Sequence, residues 1–585
     1  MKNLSFTTRH QLTFHPHFAN TDHQLQVMGR FEITTSNNST QYLSSNGIGG
    51  GITDPTVPGY LTGSTTSTSK GHTAAGLMSM HYAFGSKYVF DFTLRADGST
   101  RFGSGNKWGF FPGVSARWNI SDEPFFEPLK KVVSMLSVAP GWGINGNVPG
   151  SEGLMYNKYD RNGTVYNGTQ VMRPVNLKLT EIRWEKTKSW NVGVNMNLFN
   201  DLLQFNLNVY NKKTTDLLNS GVRIPSTTGF SSLSWANVGD MENKGWELYG
   251  STREILKFGK FSMKLRGNIS QNINTITRMD ASVLAANNKD YGYGNGEIMQ
   301  RVQIGNALGG IYGFRYKGVY AYDYDHNGYF QNQEKNQWFN PDGTKNTAAE
   351  GPNEALRKST PIVFDANGNV VYDKNGNPLP MYFNYGGKNY QFGGGDAIYE
   401  DINHDGNIDE LDIVYLGTSN PKINGGFGIE FKYDRWELKT SFNFRLGNKI
   451  INLARLNAES MVSNKNQNAS VAHRWRKNGQ STEMPRAMSS NVTATFNSLV
   501  SDRYVEPGDF LRFQYFQLSY SVPAEKLKKI GMSSLRISAS GNNLIFWSKY
   551  SGVDPEHSAS GMSPCIDNSQ TPRSRSFTFS LNFGF

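Results

Sequence analysis

Apolar and polar residues alternate with period two over segments long enough to cross a membrane, and this restricts the fold more than any other feature. In residues 191–199, Val192, Val194, Met196 and Leu198 share one face, while Asn191, Gly193, Asn195 and Asn197 share the other. After Asn200-Asp201, read as a two-residue turn, Leu203, Phe205, Leu207 and Val209 oppose Gln204, Asn206 and Asn208. The pattern recurs at Tyr88, Phe90, Phe92 and Leu94, and again at Phe261, Met263, Leu265 and Ile269. Each apolar face covers about the nine to eleven residues that a tilted strand needs to cross the hydrocarbon layer. Trp190, Tyr210, Trp246 and Trp436 fall near strand ends, where interfacial aromatics belong. The mean hydropathy of −0.53 and the lack of a long apolar run exclude spanning helices. They do not exclude a membrane barrel, whose two-faced strands average out as polar. A soluble sandwich would have shorter strands and more even loops. The expected fold class is therefore all-β, an antiparallel transmembrane β-barrel.

The connections support this and set a direction. Asn200-Asp201 and Asp434-Arg435 are short and 524–532 is compact, whereas 223–245, 453–509 and 548–575 are long and polar. Outer-membrane barrels place short turns in the periplasm and long loops outside. The expected organisation is barrel strands with loops over 1–278, a large extracellular insertion over 279–421, and C-terminal barrel strands over 422–585. An insertion of that size is expected to carry its own hairpins and a function. About fifteen wall strands are expected, beginning at residues 5–14, where single-chain bacterial barrels have an even number. The first and last run in the same direction and cannot be antiparallel neighbours. The expectation is that N-terminal strands are missing, and residues 1–7 lack the pattern of a signal peptide.

The C-terminal segment is the most specific single element. Phe577, Phe579, Leu581, Phe583 and Phe585 alternate with Thr578, Ser580, Asn582 and Gly584. An apolar edge like this is an aggregation hazard in water, but a closed barrel buries the edge and turns the phenylalanines into lipid. A terminal strand ending in Phe also looks like the signal read by outer-membrane barrel assembly.

Several stretches occur together in order. They are Leu94-Arg95-Ala96-Asp97-Gly98-Ser99-Thr100-Arg101-Phe102-Gly103, Trp108-Gly109-Phe110-Phe111-Pro112 and Trp184-Glu185-Lys186-Thr187. Then come Asn237-Val238-Gly239, Glu242-Asn243-Lys244-Gly245, Gly508-Asp509-Phe510-Leu511-Arg512 and Gly541-Asn542-Asn543-Leu544. The last is Tyr550-Ser551-Gly552-Val553-Asp554-Pro555-Glu556. From about Tyr88 to the end, this ordered set resembles the SusC/RagA family of TonB-dependent outer-membrane transporters. The resemblance implies a barrel of about 22 strands that imports glycan or peptide fragments. It also implies a SusD-like surface lipoprotein as lid and the TonB complex as energy source. The family's plug domain, TonB-contacting segment and first wall strands have no counterpart in these residues. Alone, the chain is expected to be an open sheet that does not transport.

One loop has metal-ligand spacing. Asp401, Asn403, Asp405, Asn407, Asp409 and Asp412 occupy the positions of a twelve-residue Ca2+ loop, with Gly406 at its sharp turn. Asp412 replaces the usual Glu and has a shorter reach. The competing reading is a set of Asx turns. A second match, Asp323 to Glu334, has an aromatic middle and is read as turns, as are Asn367-Gly368 and Asn375-Gly376. The ten His are dispersed, and neither a nucleophile elbow nor a phosphate loop appears, so no enzyme is expected. The single Cys565 excludes an intrachain disulfide. The net charge of +11 is scattered and lacks any nucleic-acid motif. Trp235, Tyr312, Tyr316, Tyr320 and Trp338 are loop aromatics that could stack on sugars or pack the loops themselves. The alternative function is a surface-exposed glycan-binding or adhesive β-protein without transport.

Overall fold

The computed structural model describes all residues except 1, 46–60, 168, 225, 231, 282, 285–301, 322–329, 333–336, 340–343, 346–360, 368, 370, 386–387, 463–464, 478–479, 489–495, 529 and 558–563. The chain forms two compact units, Met1–Ala286 and Asn287–Phe585.

Ten long strands make the wall of the first unit: β1 (Lys2–Phe14), β2 (His23–Ser45), β3 (Leu61–Phe84), β4 (Tyr88–Ser99), β5 (Trp108–Asn119), β6 (Val133–Asn147), β7 (Glu185–Leu198), β8 (Leu203–Thr215), β9 (Gly239–Thr252) and β10 (Phe261–Met279). Each is antiparallel to the next. Five more make the wall of the second unit: β11 (Ile423–Tyr433), β12 (Trp436–Leu446), β13 (Phe510–Ser521), β14 (Ser534–Ser548) and β15 (Ser576–Gly584), again paired in order.

The register explains why these segments are strands. Directly opposed residues share a face, and Phe14, Val27, Met80, Phe92, Val114, Trp142 and Trp190 stand opposite one another across β1 to β7. One residue along, the row over β2 to β8 reads Gln26, His81, Asp91, Ser115, Gly141, Asn191 and Tyr210. One face is thus apolar and the other polar, as a wall between lipid and lumen requires. On the polar face Tyr210 lies over Gly245 and donates its hydroxyl to Asn272 at 3.3 Å. Any side chain at Gly245 would collide with that ring.

In the second unit Phe431, Leu438, Leu518, Ala539 and Phe579 form one such row, and Tyr433, Trp436, Tyr520, Ile537 and Leu581 the next. Phe427, Phe442 and Phe513 stack across three strands at centroid spacings of 4.8 and 4.7 Å. Phe579 is 85% exposed, so none of the described residues covers this apolar face there.

Asp434-Arg435 is a two-residue turn as read, with Asp434 at φ 52°. The turn at Asn200-Asp201 is longer than read. Pairing ends at Leu198–Leu203, leaving four loop residues, and Phe199, Asn200 and Asp201 all take positive φ. Asp201 steadies them by accepting from Ser134 Oγ and Asn197 Nδ2, each at 2.9 Å.

The long connections have cores of their own. In the first unit Phe102, Phe111, Leu154, Ile182 and Trp184 pack together, with Trp235 against them. In the second, the insertion folds as short antiparallel strand pairs, two of which join its beginning to its end. Gly310–Gly313 pairs with Val414–Thr418, Tyr316–Val319 with Ala397–Tyr399, and Tyr382–Tyr385 with Lys388–Gln391.

Candidate functional site

The loop assembly of the second unit is the most elaborate polar and aromatic structure among the described residues. Its core joins the insertion to the loop between β12 and β13. Tyr312, Phe314, Phe383 and Tyr399 pack with Phe496 and Leu499, and the Tyr399 hydroxyl donates to Phe496 O at 2.7 Å. Asp396 is fully buried there. Its carboxylate accepts from Arg486 Nε at 2.7 Å, from the Tyr390 hydroxyl at 2.8 Å and from Gly393 N at 2.8 Å. A buried charge is tolerated only when paired and hydrogen-bonded in this way.

A second network lies beside a short helix, α1 (Leu453–Glu459). Arg455 and Arg503 each reach Glu459 at 3.1 Å, and Arg455 also reaches Glu506 at 3.0 Å. Glu506 in turn accepts from Ser551 N at 2.8 Å. Arg503 donates to the Tyr316 hydroxyl at 3.1 Å, and its guanidinium stands 5.0 Å from that ring.

The loop aromatics are mostly spent on packing. Tyr312 and Tyr320 are buried in the core, which removes them as sugar-stacking faces. Tyr316 is half-buried against Arg503, and Trp235 is half-buried with its Nε1 donating to Ser151 Oγ at 3.2 Å. The side chain of Trp338 lies outside the described residues, as does most of the Asp323 to Glu334 segment.

Asp401, Asn403, Asp405, Asn407, Asp409 and Asp412 come together in one compact loop. Asp401 accepts from Gly406 N at 2.9 Å, Asp405 from Asn407 N at 2.8 Å, and Asp409 from Leu411 N at 2.8 Å. Asp412 is buried and accepts from Ile402 N at 2.8 Å and Asp409 N at 2.9 Å. Gly406 takes φ +85°, and a Cβ there would stand 2.6 Å from Val363 Cγ2. These are Asx-turn contacts, and among the described residues no three His, Cys, Asp or Glu side chains converge as metal ligands. Burial raises the Asp401 carboxyl and pushes that of Asp412 up to about 6.

The ordered motifs resolve into structural clamps at the loop roots. Phe102 stacks on Trp184 at 4.8 Å, and Trp184 Nε1 donates to Asn106 O at 3.1 Å. Asn237 binds both N and O of Arg183, each at 2.9 Å. Arg512, almost fully buried, reaches Asp554 at 2.6 Å and Glu556 at 3.2 Å. The buried pair Asp396–Arg486 was not singled out from sequence, because nothing local in the sequence links the two residues.

An apolar-faced strand wall with cored loops rooted by these motifs is what a known family specifies. A model described as TonB dependent receptor-like, beta-barrel matches residues 2–348, more than half of the chain. The chain belongs to the TonB-dependent receptors.

This receptor chain is 31% identical to TonB-dependent receptor P39 of Formosa agariphila, over 86% of the chain and 45% of that protein. It is 25% identical to TonB-dependent receptor SusC of Bacteroides thetaiotaomicron, over 86% of the chain and 43% of that protein. It thus spans about half the length of the curated relatives it matches. A solved structure of the RagAB peptide transporter has the same fold, with a TM-score of 0.73 at 18% identity over the whole chain and 56% of that one. The SusC/RagA resemblance therefore holds. The TonB-dependent receptor barrel is an outer-membrane structure, and the family consists of transporters and receptors rather than enzymes.

Proposed function

We propose that the chain supplies wall strands and extracellular loops of an outer-membrane importer for nutrient fragments, either glycan or peptide. Its partners in this reading are a SusD-like surface lipoprotein and the TonB complex. The observation that carries the reading is the combination of an apolar-faced strand wall with a cored loop assembly, in a chain similar to SusC over most of its length. The name of the RagAB peptide transporter supports a peptide as readily as a glycan.

The test is an in-frame deletion of the complete gene, with labelled oligosaccharide and peptide pools offered to intact cells. Uptake of one pool is expected to fall to background, and to fall equally when TonB is inactivated. Unchanged uptake with loss of surface binding would overturn import in favour of an adhesive surface protein.

For the 401–412 loop the proposal is Ca2+. Support comes from its donor set and from Asp401, Asp405, Asp409 and Asp412, which form no ion pair with Lys or Arg among the described residues. Amide exchange at Gly406 and Asp409 is expected to slow on adding millimolar Ca2+ and to stop responding in Asp401→Ala. Identical exchange in Ca2+ and in chelator would leave the Asx turns as the whole explanation.

A further inference from the structure

Three neighbouring short turns of the first unit form one shelf at the end of the wall. The turn between β5 and β6 is built from two 3-10 segments, Ile120–Asp122 and Pro124–Leu129. Phe126 tucks inward, whereas Phe125, Leu129 and Val132 are at least half exposed. The turn between β7 and β8 exposes Phe199 to the same degree, and the turn between β9 and β10 exposes Phe258 still more.

Hydrogen bonds tie these turns together. Phe199 N donates to Val132 O at 2.7 Å, Arg253 N to Leu202 O at 2.9 Å, and Arg253 Nη2 reaches Asp201 at 3.3 Å. Glu123 pins the first turn to the wall, accepting from Lys87 Nζ at 3.1 Å, from Trp118 Nε1 at 3.2 Å and from the Tyr88 hydroxyl. Trp118, on the apolar face of β5, meets Phe125 edge-on at 6.5 Å, so the shelf continues the lipid-facing surface.

Charges of both signs line the same turns. Lys131 and Lys257 are exposed and make no ion pair among the described residues, whereas Lys130 is partly buried and pairs with Glu127 at 2.7 Å, and Asp122 and Glu127 are exposed beside it. Exposed Phe and Leu beside Lys is the composition of a segment lying in a lipid interface. Its rings enter the acyl boundary while its ammonium groups meet phosphate. A face turned to bulk water has no use for five such apolar residues held in one hydrogen-bonded patch.

We propose that this shelf is a membrane-interface anchor seated in the anionic headgroup layer of the periplasmic phospholipid leaflet. Phe125, Leu129, Val132, Phe199 and Phe258 enter the leaflet, and the unpaired Lys131 and Lys257 bind its phosphates. Short turns lie on the periplasmic side of such barrels, which fixes the leaflet. The inference rests on the membrane placement of the barrel and not on the import reading.

The test uses the receptor folded into vesicles of phosphatidylethanolamine with phosphatidylglycerol, and into matching vesicles with phosphatidylcholine in place of phosphatidylglycerol. Phe125→Cys and Phe258→Cys, each in a Cys565→Ser background, carry an environment-sensitive fluorophore, and heat-modifiable migration reports that the barrel is folded. Emission is expected to be blue-shifted and quenched severalfold by lipid brominated near the carbonyl, more strongly with phosphatidylglycerol. Lys131→Gln with Lys257→Gln is expected to remove that preference. Water-like, unquenched emission would overturn the anchor. So would shielded emission that brominated lipid does not quench and excess lipid abolishes, which identifies a second copy as the occupant. Equal quenching in both lipids would overturn the anionic contact.

Discussion

Asp396 shows what a single residue does in the loop assembly. It is buried without water contact, and Arg486 is its only cationic partner among the described residues. Arg486→Met is expected to leave the carboxylate unpaired and cost about 2–3 kcal/mol, the low end for a broken buried pair because the guanidinium is partly exposed. Asp396→Asn combined with Arg486→Met should cost less than Arg486→Met alone. Amide exchange at Ala397 and Tyr320 measures both, and equal costs would mean that the pair is not coupled.

Glu123 gives a pH dependence. Hydrogen bonds from the Tyr88 hydroxyl, Lys87 and Trp118 hold its carboxyl below the usual range. The folded value lies under the unfolded one, so its contribution is complete above about pH 4.3 and fades as pH falls through the folded value. Protection of the Phe126 amide, which donates to Glu123 O, should follow that course, and Glu123→Gln should flatten it. The 401–412 loop was legible in sequence because its contacts are local. The Asp396–Arg486 pair was not, because ninety residues separate its members.

Among the elements, the wall strands were the most legible. Lipid on one side and lumen on the other impose period two residue by residue, so each strand declares itself without its neighbours. Turn geometry declares itself less well. Asn200-Asp201 reads as a two-residue turn, yet its length is set by contacts from Ser134 on another strand. The insertion's paired strands are three to five residues long, too short for alternation to register; two of the pairs join its distant ends, and their core draws on Phe496 and Leu499 from another loop. Strand β15 allows a sharp test of facing. Phe579→Arg places a cation on the lipid side and is expected to cost about 2–4 kcal/mol if it lies near the bilayer midplane. Ser580→Arg, one residue along and on the opposite face, should cost little. Urea unfolding of the folded protein from lipid vesicles measures both, and equal costs would mean that the face has been misassigned.

At the scale of the whole molecule, the alternation of short turns and long loops fixes which end faces the cell exterior. Connections leaving β1, β3, β5, β7, β9, β11 and β13 are the compact ones, while the cored loops follow even-numbered strands. Each unit offers an exposed lysine that tests this: in the second, Lys374, in an Asx-stabilised turn of the insertion where Asp373 accepts from Asn375 N and Asn377 N, each at 2.8 Å, and in the first, Lys257, in the turn between β9 and β10. Cys565 is fully buried, so the native thiol gives little background. Lys374→Cys is expected to react with a membrane-impermeant maleimide on intact cells. Lys257→Cys should react only after the outer membrane is permeabilised, and then less completely in anionic lipid if the shelf sits among headgroups. Both substitutions replace surface ammonium groups and should leave stability within about 0.5 kcal/mol. Labelling of Lys257→Cys on intact cells, with Lys374→Cys protected, would invert the barrel. The loop assembly would then face the periplasm, where a surface lipoprotein could not reach it.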